Sequence, residues 1–303
     1  MDKARQSRSS PRALIALAIA ACSFAAAISM GLPSIAGTST YTAGIDVSHY
    51  QGTNIRWGKV ARSKHVFAYQ KATEGTSFTD PTYASNRERA GARGVTFGAY
   101  HFSNPRGSTR AAALAEARRE ADHFIDTAQP APGDLVPALD IEYSSYTQTM
   151  GTPRLIKWID AWLREVEARV GVKPVIYTSP YFWKVKFTDT TRFAREGYGL
   201  WIAHWTTRKS GPTVPADNWG GRGWTFWQWT NCGSVPGIQG CVDEDRYNGS
   251  DLSLVTIPGS VPSPTPTPTT SVSIAPSSST SPIPVPPSLR PSADSAMASS
   301  DDH

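Results

Sequence analysis

The chain has 303 residues, a length that fits one large domain or two small ones. Its formal charge of +5 and pI near 9.1 suit an anionic surface as a partner. Part of that excess sits in Lys3, Arg5, Arg8 and Arg12, and the remainder forms no basic run or aromatic-basic signature, which excludes nucleic acid as a partner.

Those four cations open a secretory signal peptide assigned to residues 1–36. An apolar, Ala-rich run fills 13–32, and Ser34-Ile35-Ala36 has the small-x-small form of a cleavage site. A run of this length could also stay uncleaved as a membrane anchor. Ile19-Ala20-Ala21-Cys22 resembles a lipobox, but the apolar run continues well beyond Cys22. The expected product is secreted, with membrane contact only if the leader is retained.

Seven short apolar runs follow, and they read as strands: Gly44–Val47, Val66–Lys71, Val95–Phe102, Leu135–Ile141, Pro174–Tyr177, Leu200–Ala203 and Thr225–Trp229. Helical patterns separate most of them. One runs from Arg110 to about Thr127 behind Thr109. Another spans Pro153–Val170, with Thr152 as N-cap, Pro153 in the first turn, a stripe of Leu155, Ile159, Trp162, Leu163, Val166 and Val170, and Gly171 as the stop. Alternating βα units imply an α/β fold with a parallel sheet. Residues 37–257 are a suitable length for a single β/α barrel of the TIM type, which places function at the C-terminal ends of the strands. From Pro258 to His303 the chain becomes Pro/Ser/Thr-rich and is expected to be an extended, disordered tail.

Polar and aromatic residues collect where those strands end: Asp46 and His49, Glu74, Tyr100 and His101, Asp140 and Glu142, Tyr177, His204 and Trp205, Gln228 and Trp229. Asp140 and Glu142 are separated by one residue, so in an extended chain they share a face, with Cα atoms about 6.5–7 Å apart. Two carboxylates held that close in a partly dry site have their pKa values driven apart, the arrangement acid/base chemistry needs. Trp201, Trp205, Trp219, Trp224, Trp227 and Trp229 concentrate indoles in one region, and a Trp at a barrel mouth suits the C–H face of a sugar ring. Trp201 and Trp227, inside strands, read as core. Cys232 and Cys241 bracket a short loop, and in an exported chain a disulfide is the default reading; a metal site is the weaker one, since no His or Cys cluster at zinc spacing accompanies them.

The segments GIDVSHYQG (44–52), KATEG (71–75), GAYHF (98–102), LDIE (139–142), VIYTS (175–179), LWIAHW (200–205), WQW (227–229) and CVDEDRYNG (241–249) together resemble the ordered motifs of glycoside hydrolase family 25, lysozymes of the N-acetylmuramidase type. The resemblance covers about residues 41–252 and implies an irregular β/α barrel in which not every strand is parallel. It implies cleavage of the β-1,4 bond between N-acetylmuramic acid and N-acetylglucosamine in peptidoglycan. Carried across by position, Glu142 is the general acid/base, Asp140 the carboxylate beside it, and Asp46 and Asp243 two further acids of the site. Tyr100 and Tyr177 line the cleavage subsite. Trp205, Gln228, Glu74 and His101 are expected among the substrate-binding residues, the last three with no assigned chemical step. No cofactor or metal is implied, and a monomer is expected. Two alternatives remain open: a non-catalytic glycan-binding module on the same fold, and a chitinase-like glycosidase. The longer acidic run of chitinases is incomplete here, because Ala138 stands two residues before Asp140.

Overall fold

The computed structural model describes residues 41–206 and 211–259. The leader, the lipobox-like Cys22 and the tail beyond Gly259 lie outside the described residues. Nine strands occur in the described chain: β1 (Thr42–Val47), β2 (His65–Glu74), β3 (Phe78–Thr79), β4 (Thr96–Phe102), β5 (Ala138–Asp140), β6 (Val175–Thr178), β7 (Gly199–Ala203), β8 (Phe226–Gly233) and β9 (Val242–Tyr247). The helices are α1 (Trp57–Val60), α2 (Tyr83–Gly91), α3 (Arg110–Ala128), α4 (Ser145–Thr149), α5 (Thr152–Val170), α6 (Pro180–Phe187), α7 (Arg192–Arg195) and α8 (Pro215–Gly220).

The sheet runs β1-β9-β8-β7-β6-β5-β4-β2-β3, and β1 also pairs with β2, which closes eight strands into a barrel with β3 as a short flap on β2. Neighbouring strands are parallel from β1 through β2, β4, β5, β6, β7 and β8. Within the barrel the exception is β9, which lies antiparallel to both β8 and β1. Because it runs the other way, its first residues reach the mouth that the other strands reach with their last, and Asp243 pairs with Asp46 across that rim.

Alternation along the strands sorts the apolar residues into two layers. Phe67, Tyr69, Tyr100, Leu135, Ala138, Val175, Tyr177, Trp201, Phe226 and Tyr247 form one buried cluster, the plug of the barrel. Glycine makes room for this plug: a Cβ at Gly98 would stand 2.6 Å from the Tyr69 ring and 2.7 Å from Leu135 Cβ. The opposite strand faces pack against the helices, where α3 and α5 supply Ala117, Ala121, Phe124, Trp158, Ile159 and Trp162.

The two long helices lie where their periodicity predicts. Thr109 caps α3, its hydroxyl accepting from the Ala112 amide at 3.1 Å. The start of α5 differs by one residue: Gly151 is the N-cap, and Thr152 is already helical, its hydroxyl donating instead to the Lys186 carbonyl at 2.9 Å. Gly171 ends α5 in the left-handed conformation at φ 80°. Strand β5 is shorter than its apolar run predicts, Ala138–Asp140 rather than Leu135–Ile141. Pro137 offers no amide to a ladder, and Leu135 bridges to Thr256 instead. The eighth strand is longer than expected, reaching Gly233.

Candidate active site

The mouth of the barrel holds a cleft lined by Asp46, Ser48, Tyr50, Lys71, Tyr100, Phe102, Asp140, Glu142, Tyr177, Trp201, Gln228 and Asp243. Asp140 closes β5, and Glu142 follows two residues later in the loop, so their side chains share the cleft while Ile141 between them is fully buried. Ser103 fixes the backbone beneath: its amide and its hydroxyl both donate to the Asp140 carbonyl, at 3.0 and 2.7 Å. Ile141 N–H donates to the Tyr177 carbonyl at 3.0 Å, carrying the strand alignment one residue past β5.

Burial raises both carboxyls of this pair above the usual carboxylate range. For Asp140 the Glu142 charge adds to burial, and Lys71 opposes the rise at both groups. The pair therefore keeps a proton to higher pH than isolated carboxyls do. Asp140 Oδ1 is buried and has no protein hydrogen-bond partner, an acceptor left for something that enters the cleft.

Across the cleft Gln228 organises a second acid group. Its Nε2 donates to Asp46 Oδ2 at 2.8 Å and to Asp243 Oδ2 at 3.4 Å, while its Oε1 accepts from Tyr177 Oη at 3.1 Å and Trp205 Nε1 at 3.0 Å. Burial, then the neighbouring Asp245, holds Asp46 well above the ordinary range, against the Gln228 donor. Burial and Asp46 push Asp243 up to about 8. Burial pushes Asp245 up to about 8 as well, although it accepts from Trp201 Nε1 at 2.8 Å. At neutral pH this acid group retains protons, and its members act as hydrogen-bond donors as well as acceptors. The floor is aromatic: Trp201 stacks on Tyr69 with centroids 4.7 Å apart and meets Tyr177 edge-on at 4.9 Å.

Of the residues expected from sequence, Asp46, Tyr100, Asp140, Glu142, Tyr177, Gln228 and Asp243 meet in this cleft. Trp205 stands at its edge, 57% exposed, with the indole tethered to Gln228. Glu74 does not line the cleft; it ion-pairs with Lys71 at 3.0 Å and accepts from Asn104 Nδ2 at 3.3 Å. His101 corrects the expectation of a substrate contact. It follows Tyr100 in a strand, so it faces the opposite way, is fully buried, stacks on Trp162, and bonds Thr73 Oγ1 at 2.8 Å and Glu120 Oε2 at 2.7 Å. Burial lowers its pKa to about 3, so the ring is neutral, with one nitrogen donating and the other accepting. Cys232 and Cys241 form a disulfide across the β8–β9 hairpin. Sequence reasoning passed over Lys71, inside a quoted motif, and Asp245, whose i+2 spacing from Asp243 was signal enough.

The model of the glycosyl hydrolases family 25 matches residues 45–238. Lysozyme M1 of Streptomyces globisporus is 35% identical over 220 residues, covering 71% of this chain and 70% of that protein. The N,O-diacetylmuramidase of Arthroderma benhamiae is 30% identical over 223 residues, 71% of this chain and 86% of its own. The crystal structure of the bacterial lysozyme from Streptomyces coelicolor superposes with a TM-score of 0.64 at 33% identity, over 72% of this chain and 98% of that one. With the acid-lined cleft at the mouth of a closed, distorted β/α barrel, these matches place the chain in glycoside hydrolase family 25, among the lysozymes and muramidases, and make it a glycoside hydrolase.

Proposed function

We propose that the protein is a secreted muramidase that hydrolyses the β-1,4 bond between N-acetylmuramic acid and N-acetylglucosamine in peptidoglycan, with retention of configuration through participation of the substrate's own acetamido group. In this reading residues 37–257 form the catalytic domain, acting as a monomer, between an export signal at 1–36 and a spacer from 258 to 303. The observation that carries the mechanism is the unpartnered, buried Asp140 Oδ1 beside Glu142 in one cleft.

Glycoside cleavage needs a proton for the leaving oxygen and a partner for positive charge at the anomeric carbon. The acetamido N–H of the bound sugar donates to Asp140 Oδ1, which stabilises that carboxylate and leaves the shared proton on Glu142. Glu142 protonates the leaving oxygen while the acetamido carbonyl oxygen attacks the anomeric carbon, giving an oxazolinium ion held by Asp140. Glu142, now a base, takes a proton from water as that water opens the ring from the original face. Asp46, Asp243 and the tyrosines Tyr100 and Tyr177 hold the sugar hydroxyls, and Trp205 offers its face at the edge.

The test is digestion of purified peptidoglycan, with mass spectrometry of the borohydride-reduced fragments. Fragments ending in reduced muramic acid, absent with Glu142→Gln, are the expected result. Ends in reduced glucosamine would replace muramidase by glucosaminidase. A folded protein that pellets with walls and releases nothing would leave only a glycan-binding module. NMR of the first product fixes the anomer, and an inverted product would remove the acetamido route.

A further inference from the structure

A second groove lies outside the cleft, on the wall formed by α1 and α2. It is lined by the side chains of Arg56, Lys59, Arg62, Arg89 and Arg93 around Gly58 and Ala92. Arg56 and Lys59 extend it toward Gly237, Ile238 and Gln239 in the β8–β9 connection, the hairpin that carries Gln228 and Asp243. The two ends are joined by backbone, since Arg56 N–H donates to the Gly237 carbonyl at 2.8 Å.

Among the described residues none of these five cations has a carboxylate within ion-pair distance, whereas Arg164 and Arg169 on α5 and Arg192 on α7 do. Arg89 is spent on the carbonyls of Thr53 and Ile55, which hold the chain before α1. Arg56, Lys59, Arg62 and Arg93 are exposed. Arg62 and Arg93 converge: a Cβ on Gly58 would lie 3.6 Å from an Arg62 guanidinium nitrogen and 3.8 Å from Arg93 Nε. Two like charges drawn over one glycine, with no carboxylate paired to either, suit a tetrahedral oxyanion held by two planar forks. The acid on this part of α2, Glu88, lines a different depression together with Arg87.

We propose that this groove binds a phosphodiester-linked anionic polymer, with one phosphate seated between Arg62 and Arg93 and the chain running past Lys59 and Arg56 toward the hairpin. A lipid surface is the poorer occupant, because the lining presents no large exposed apolar side chain to enter a bilayer. The groove and the catalytic cleft share no lining residue, so occupancy of the groove tethers the enzyme without blocking the cleft. The inference does not depend on the bond the enzyme cleaves.

The test uses fluorescently labelled poly(glycerol phosphate) and anisotropy at 50 and 200 mM salt. Saturable binding that weakens steeply with salt is expected, because cations that neutralise a polyanion release its counterions. Arg62→Gln/Arg93→Gln should weaken binding at least tenfold and flatten the salt dependence. Arg118→Gln/Arg119→Gln, an equal loss of exposed charge on α3, should change it less than twofold. Arg56→Gln/Lys59→Gln repeats the measurement at the groove's other end. Both groove variants should cleave short phosphate-free glycan strands at the unaltered rate. The proposal is overturned if the α3 variant loses as much affinity as the groove variants, if no binding is seen at 50 mM salt, or if poly-glutamate or anionic vesicles bind the groove as tightly.

Discussion

Gln228 Nε2 sits 2.8 Å from Asp46 Oδ2, at the centre of four hydrogen bonds that tie β8 to β1, β6, β9 and the chain after β7. Replacing it with leucine keeps the volume and removes every bond. Asp46 then loses its donor against Asp245, and Tyr177 and Trp205 lose their acceptor. Gln228→Leu should lower kcat/KM by about 10- to 100-fold, as when supporting residues around a reacting constellation are lost. Steady-state turnover of soluble glycan strands measures it, and an unchanged value would show that the acid group needs no organiser.

Asp140→Asn preserves shape at a carboxyl whose Oδ1 the protein leaves unpaired. Turnover should fall about 100- to 1000-fold with KM changed only a few-fold, because the lost charge acts on the cation formed during the reaction. A cyclic thiazoline analogue of the oxazolinium ion should lose affinity in parallel. If kcat survives, Asp140 is only structural.

Behind β4 a second carboxyl pair serves the fold. Glu116 accepts from Trp158 Nε1 and from Arg106 N–H, and Glu120 is hydrogen-bonded to His101 and accepts from Asn104 N–H. The charges of Glu74 and Lys71 on β2 and of His123 on α3 also act on this cluster. Burial, with Glu120 beside it, raises Glu116 to about 8 from the ordinary 4.5, so the folded state binds a proton that the unfolded state releases. That contribution is fully present below pH 4.5 and is lost as pH rises through about 8. His101 works in the opposite sense at lower pH: its stabilisation is present above 6.5 and is lost as pH falls toward about 3. Glu116→Gln supplies an acceptor and a permanent donor, and should flatten the fall of melting temperature between pH 6.5 and 8. An unaltered slope would show that Glu116 is not the group that titrates.

The Cys232–Cys241 disulfide closes a short loop at the hairpin that ends in Asp243. On the chain-entropy model so short a closure stabilises by about 2.5–3 kcal/mol. Cys232→Ser/Cys241→Ser should therefore melt about 5–10 °C lower, by the usual conversion for domains of this size. Scanning calorimetry checks this, and equal melting temperatures would show that the hairpin is held by its ladder alone.

How legible all this was depended on whether function and fold asked for the same residue. In α5 they did, since its apolar stripe has no second task, and only the cap was displaced, where Thr152 had a better acceptor in Lys186. In β9 they did not. The segment VDEDRY looks too charged for a strand, because its inward face carries Asp243 and Asp245 and its outward face Glu244 and Arg246. His101 was misplaced although the rule that excludes it was available: neighbours in a strand cannot share a face, and Tyr100 already had the cleft. Asp140 and Glu142 were placed together by that same alternation. Lys71 was not singled out because a cation at a strand end reads as ordinary surface until the barrel closes around it at 7% exposure.

Closure of the barrel by β9 also governs when this domain can finish folding. β1 finds its second neighbour only in Val242–Tyr247, at the far end of the domain. Until that segment has been made, β1 and β8 each present an open edge, and the acid group split between Asp46 and Asp243 does not exist. Pairing over such a sequence separation is slow, and unpaired edges invite aggregation. A ribosome-bound or truncated chain lacking β9 should accordingly be protease-sensitive and inert along its whole length, so the hydrolase becomes active in a single late step.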